Sequence, residues 1–397
     1  MEFTIHNQIL LLAFGIAAVM GAVANKTNFC TMGAVSDWVN MNDTGRMRAW
    51  LFAMAVALGG VLLFETTGIV TLGQDTFPPY RTENFAWLRY VLGGVMFGIG
   101  MTLGSGCGNK TVLRIGGGNV KSVVVLVVAA AGAYLMLWTD FFSIAFMSWI
   151  GPTSVNLAAY NIQSQELSAV IGGLAGVEDV SQLHLIVGGV VLLALLAFIF
   201  KSRDFRGSFD NILGGLVVGL AVVAGWYITG GAMGQAWKEY AEFASEMPSR
   251  VATQSYTFIS PMGDSVRYLM DPTKVSFINF GVVALAGVIV GSMVYSLFAR
   301  RFRIEWFASG RDFVQHVIGG ALMGIGGVLS MGCTIGQAVT GVSTLAIGSI
   351  LTFFAIVFGS AMSMKVQYYM MDEQGFFGAL RSTMADFKLF PARKSAA

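Results

Sequence analysis

The chain has 397 residues, 55% of them hydrophobic and 12% charged, with a formal net charge of +2. Its mean hydropathy is +0.69. Soluble domains carry about 25% charged residues, so half that share points to lipid as the solvent, and a near-neutral balance gives no footing for a nucleic-acid partner.

A bilayer core of about 30 Å asks for about 20 apolar residues in helix. The first such stretch is 3–25; its only early charge is Glu2, which argues against a cleavable leader, since that would carry Lys or Arg ahead of the apolar run. Residues 49–64 form the second, extending past Glu65 to about Gly73. Residues 90–109 form the third, interrupted near its end by Gly104-Ser-Gly106-Cys107-Gly108. Stretches 122–139, 183–200, 211–230 and 275–299 follow. The last, 313–364, is long enough to fold back once, most naturally at 330–342 where Gly, Ser and Thr cluster. The expected fold class is therefore an all-α polytopic membrane protein of about nine transmembrane helices. Connections 140–182 and 231–274 are mixed in polarity, with room for a short interfacial helix around Trp237–Ala244. Trp226 and Tyr227, near the end of a span, fit an aromatic belt.

Orientation follows from where Lys and Arg fall. With the N-terminus outside, inner segments hold 18 Lys and Arg, from Lys26 to Arg393 and Lys394, and outer segments hold 6, from Arg81 to Lys274. The C-terminus is then cytoplasmic.

Residues 93–107 match 319–333 at an offset of 226, with eight of fifteen positions identical, including the glycines and the terminal Gly-Cys. Five crossings separate the starts of the two copies, so they run in opposite directions across the bilayer. Such inverted repeats place a transport site near the midplane, between broken helices. The chain is read as one membrane domain, 1–397, with halves 1–200 and 201–397. Neither Gly-Cys helix looks long enough to cross before its cysteine, so each is expected to dip part-way and return as a re-entrant segment.

The three cysteines, Cys30, Cys107 and Cys333, form no C-x-x-C and are odd in number. That argues against a disulfide framework and a tetrathiolate metal site. His6, His184 and His316 are too few and too scattered for haem or zinc, so no cofactor or metal is expected. A lone buried cysteine usually just packs. Two that end the same glycine-rich repeat point to a site. Flanking Gly106, Gly108 and Gly332 let backbone N–H groups and sulfur approach a ligand, and a helix restarting after the break favours an anion. Lys110 adds positive charge at the inner mouth, and Thr334 follows Cys333. A thiol is a weak donor and a soft atom, suited to a ligand with a terminal sulfur that must also leave. Cys30 lies in neither repeat copy. Glu65 within a span is either functional or interfacial. His316 reads as a packed or hydrogen-bonded residue, and Met101 and Met331 as packing residues that can also line a path.

With Asn28-Phe29-Cys30-Thr31-Met32-Gly33, Gly104-Ser105-Gly106-Cys107 and Gly332-Cys333-Thr334-Ile335-Gly336 in this order, the chain resembles the YeeE/YedE family of bacterial membrane proteins, the thiosulfate transporters, over nearly its whole length. The lead-in 277–291 and the Arg-rich run 300–303 also match. The resemblance implies an hourglass-shaped helical protein with two pseudo-symmetric halves in the bacterial inner membrane. It further implies that thiosulfate would be handed along the three cysteines by S–H···S contacts without a covalent intermediate, and that a small TusA-like cytoplasmic sulfurtransferase would accept the sulfur. Gly108-Asn109-Lys110 departs from the small-polar continuation of many relatives. Two other readings remain: a transporter of a selenium compound, sulfite or sulfide, and a membrane thiol-redox protein in which Cys107 and Cys333 meet.

Overall fold

The computed structural model describes residues 4–177, 180–244, 246–372 and 374–388. Glu2, Phe3, Arg393 and Lys394, which enter the reading of the sequence, lie outside them. Nine helices among the described residues are long and apolar enough to span a bilayer. The chain is a multi-pass helical membrane protein; the strands described are a two-residue pair, Asn84–Phe85 against Val155–Asn156.

The chain runs first through α1 (Ile5–Lys26), α2 (Thr31–Met41), α3 (Gly45–Thr67), α4 (Trp87–Leu103), α5 (Gly108–Gly116) and α6 (Val120–Trp138). A connecting segment carries α7 (Leu167–Ala175) and α8 (Val180–Phe200). Then follow α9 (Phe209–Gly230), α10 (Ala232–Phe243), α11 (Ile259–Met270), α12 (Phe280–Phe298) and α13 (Gly310–Leu329). A π-helical segment Thr334–Gly341, α14 (Ile347–Met371) and α15 (Phe376–Asp386) complete the chain.

Several of these differ from the hydropathy reading for physical reasons. The stretch 90–109 stops at Leu103 and restarts at Gly108. α2 lies in no apolar run, because it holds Asp37, which pairs with Arg46 beyond its end. The helix expected near Trp237 is α10, and its connection holds a second helix, α11. α4 has 17 residues and α13 has 20, about 26 and 30 Å at 1.5 Å per residue; by length alone α13 is not short. Trp226 is fully buried and donates to Ser343 Oγ at 3.2 Å, whereas Tyr227 is half exposed. Only Tyr227 sits as a belt residue would.

Glycines set how closely the long helices approach. A Cβ on Gly93 would lie 2.7 Å from Gly326 O, and one on Gly326 would lie 2.8 Å from Gly93 O. Gly100 and Gly319 oppose each other in the same way, at 2.8 and 2.7 Å. α4 and α13 are therefore antiparallel and nearly in backbone contact. Each pair becomes the other when its members are exchanged at the 226 offset. Their outer flanks repeat the pattern: Gly98 packs on the Ile356 carbonyl of α14, and Gly324 on the Ala129 carbonyl of α6. Without side chains at these points, dispersion contacts are made between backbones, which is how membrane helices associate where no hydrophobic drive exists. α8 shows the opposite character, exposing Leu185, Ile186, Val190, Leu193 and Phe198 as a lipid-facing surface would.

Candidate functional site

Each cysteine follows the same backbone device. α1, α4 and α13 end with a non-glycine residue in the left-handed region, at Asn28 (φ 55°), Ser105 (φ 56°) and Met331 (φ 64°). The next amide folds back onto the last helical turn: Phe29 N to Ala24 O at 2.9 Å, Gly106 N to Met101 O at 2.9 Å, Gly332 N to Gly327 O at 2.8 Å. This is a Schellman cap, normally built on glycine. A non-glycine residue there carries strain of about 1–3 kcal/mol. The cysteine comes next and is the N-cap of α2, α5 or the π-helical segment. Cys30 Sγ accepts from Gly33 N at 3.4 Å, and Cys333 Sγ accepts from Gly336 N at 3.5 Å. Cys30 thus belongs to the same motif as the other two, although its residues do not repeat theirs.

The three thiols come together in the core. They are free, and 4%, 0% and 0% exposed for Cys30, Cys107 and Cys333. Cys30 and Cys107 meet side chain to side chain. The amides of Thr31 and Lys110 and the side chain of Thr334 also face Cys107. Cys333 is faced by the amides of Gly336, Phe258 and Ile335. Gly108 bridges the groups: a Cβ there would lie 3.7 Å from Cys333 Cβ. Gly106 packs on Lys110 and Gly332 on Gln337, each at 3.2 Å from an added Cβ. All eight residues singled out from the sequence thus lie in this neighbourhood. Three helix N-termini converge there, and their free N–H groups favour negative charge.

Lys110 Nζ donates to Asn28 Oδ1 at 2.5 Å, joining two of the three breaks. Lys110 also borders a cavity of about 170 Å³ that includes Arg114, Arg301, Arg303 and Glu305. The space on the far side of Lys110 is thus mainly cationic.

The residue-matching model for sulphur transport covers residues 26–362, from just before Cys30 to well past Cys333. The chain belongs to this sulphur transport family, the YeeE/YedE family. It is similar to the thiosulfate transporter TsuA of Escherichia coli (strain K12), 24% identical over 340 residues, 81% of this chain and 84% of that one. It is also similar to the thiosulfate transporter TsuA of Spirochaeta thermophila, 25% identical over 355 residues, 87% of this chain and 95% of that one. The names in the sulphur transport family are those of transporters, not enzymes, and sulfur-compound transport is what they support.

For a member of the sulphur transport family, the sequence left four buried polar residues out of the site: Thr31, Asn109, Thr257 and Gln337. Thr31 and Thr257 Oγ1, Gln337 Oε1 and both amide atoms of Asn109 have no hydrogen-bond partner among the described residues, and Thr334 Oγ1 has none besides the Cys107 sulfur it faces. A buried donor or acceptor left unpaired costs about 1–3 kcal/mol. Their signal is burial without a partner, which no sequence displays.

The remaining candidates fall elsewhere. Glu65 pairs with Arg81 Nη1 at 2.5 Å and His184 Nε2 at 3.0 Å. His184 also meets Glu166, so the charge of Glu65 belongs to a four-residue ionic cluster. His316 is buried against Asp312, its Nδ1 2.8 Å from the Asp312 carbonyl oxygen. Among the described residues no group of three or more His, Cys, Asp and Glu gathers to hold a metal.

Proposed function

We propose that this protein takes up thiosulfate, or a closely related sulfur oxyanion, across the bacterial inner membrane along a path lined by Cys30, Cys107 and Cys333. The observation that carries the reading is the convergence of three free, buried thiols on three helix N-termini in a chain of the sulphur transport family. Helix ends supply positive potential for the anion. Thiols supply weak S–H donors that hold a terminal sulfur without forming a bond, so the ion is passed on rather than trapped. Gly106, Gly108 and Gly332 keep the backbone close to the ion, Thr334 adds a hydroxyl at Cys107, and Lys110 draws the anion toward the cationic side.

In this reading, 1–200 and 201–397 are inverted halves of one membrane domain, with α5 and the π-helical segment as re-entrant elements. The reciprocal glycine pairs of α4 and α13 support it. The N-terminus lies outside and the C-terminus in the cytoplasm, where a small sulfurtransferase receives the cargo.

Uptake of labelled thiosulfate in a strain lacking other routes tests the proposal. Cys107→Ala and Cys333→Ala are each expected to lower the rate by at least about tenfold, which corresponds to the loss of about 1.4 kcal/mol of contact with the ion. Undiminished uptake in both variants removes the thiols from the path. No entry of thiosulfate, with entry of labelled selenite, sulfite or sulfide, reassigns the cargo.

A further inference from the structure

We infer that the unpartnered polar groups around the thiols form the oxygen-binding half of a two-ended receptor whose other half is sulfur. The ligand class is a small anion with a soft terminal atom on an oxygen-bearing head. This rests on the transport reading above and adds residues and selectivity to it.

Setting aside His184, whose Nε2 lies 3.0 Å from Glu65, seven residues among those described bury a side-chain nitrogen or oxygen with no hydrogen-bond partner. Five of them, Thr31, Asn109, Thr257, Thr334 and Gln337, flank the cysteines, which decides that the deficit is local rather than general. Thr31 and Thr334 adjoin Cys30 and Cys333 in sequence; the Thr31 amide and the Thr334 side chain face Cys107. Asn109 is two residues past Cys107 on α5 and is 1% exposed. The Thr257 hydroxyl packs against Gly336, whose amide donates to Cys333 Sγ. Polar groups at membrane depth find no bulk water, and they persist unpaired only where a ligand pathway or a partner will satisfy them.

The chemistry of the set is divided. Three threonine hydroxyls and the Asn109 amide nitrogen are donors and match the oxygens of an anion. Gln337 Nε2 already donates to Ser330 O at 2.6 Å, which fixes its Oε1 as an acceptor. That oxygen and Asn109 Oδ1 are acceptors, the complement of an S–H donor. Sulfate engages only the oxygen half, and sulfide only the sulfur half. Thiosulfate engages both.

The test uses the full chain in proteoliposomes, with Asn109→Leu and the near-isosteric Thr31→Val and Thr334→Val. Asn109→Leu is expected to cut thiosulfate uptake by at least about tenfold, the effect of one well-placed polar contact. Its apparent Tm is expected to hold or rise, because an unsatisfied amide is removed and no bond is lost. Thiosulfate is expected to raise the Tm of the wild type and not of Asn109→Leu, while sulfate at equal concentration raises neither. Full uptake by Asn109→Leu and both valine variants overturns this inference alone. So does a Tm drop of more than about 5 °C in all three, which marks a structural network. A wild type that moves no thiosulfate overturns the transport reading, and this inference with it.

Discussion

Met331 carries a backbone conformation that its side chain resists, and it does so two residues before a cysteine, as Asn28 and Ser105 do. Met331→Gly is expected to relieve that strain and raise the apparent Tm by about 1–2 °C in a chain of this size. Thermal unfolding in detergent checks it, and a lowered Tm shows that the Met331 side chain contributes more than its backbone costs. At this scale the sequence was readable in part. Cys107 and Cys333 stand out because their glycines repeat. Cys30 does not, because the device it shares with them is a backbone turn that Asn-Phe builds in one place, and Ser-Gly and Met-Gly in the others. Dihedral angles recur where letters do not. Asn109 and Thr257 were hidden for a different reason, since an amide or hydroxyl lacking a partner is a fact about neighbours.

Helices α4, α6, α13 and α14 approach one another at glycines, and hydropathy alone gave their number and order. Their crossings depend on spacing within each helix. A Cβ at Gly98 or Gly324 would strike a carbonyl oxygen of the facing helix, so neither site has a flexible neighbour that can yield. Gly98→Ala is expected to destabilise by about 1–3 kcal/mol or more, the cost of overpacking a close interface. It is measured as reduced folded yield and a lower apparent Tm, with Gly15→Ala as control because nothing lies within 4 Å of that site. Equal stability of the two variants contradicts the close approach. Hydropathy located the breaks after Leu103 and Leu329 only roughly, because a cap and a restart look apolar in any window that averages across them.

Across the whole molecule, one ionic cluster ties the connecting segment to α3, to the loop at Arg81 and to the chain just before α14. Arg81 Nε donates to Thr344 O at 3.1 Å, Leu167 N to Leu345 O at 2.9 Å, and Ile347 N to Gln165 O at 2.9 Å. Glu166 and Glu65 meet Arg81 and His184 at this junction. Burial opposes ionisation of Glu166, yet His184, Arg81 and Ser168 outweigh it and hold its carboxyl below the ordinary carboxylate range. A lowered value means that the unfolded chain binds the proton first. The stability Glu166 contributes is therefore present above its unfolded pKa and is lost as pH falls through the folded one. Apparent Tm is expected to fall on acidification through that window, and Glu166→Gln to flatten the fall; an unchanged acid limb in the variant removes Glu166 from the clamp. Of these four, Glu65 alone was singled out in the sequence as a candidate functional residue. Its partners come from residues 81, 166 and 184, which no local pattern joins.

The Thr31 amide faces Cys107 as the Phe258 amide faces Cys333, so Cys30 and Thr257, one residue earlier in each case, hold corresponding places. One side of the centre offers a soft atom where the other offers a hard one. An uneven lining biases where a passenger lingers, yet detailed balance forbids it from biasing net flow. The uptake proposed above therefore draws its direction from elsewhere, from a concentration gradient or from chemistry that consumes the arriving ion.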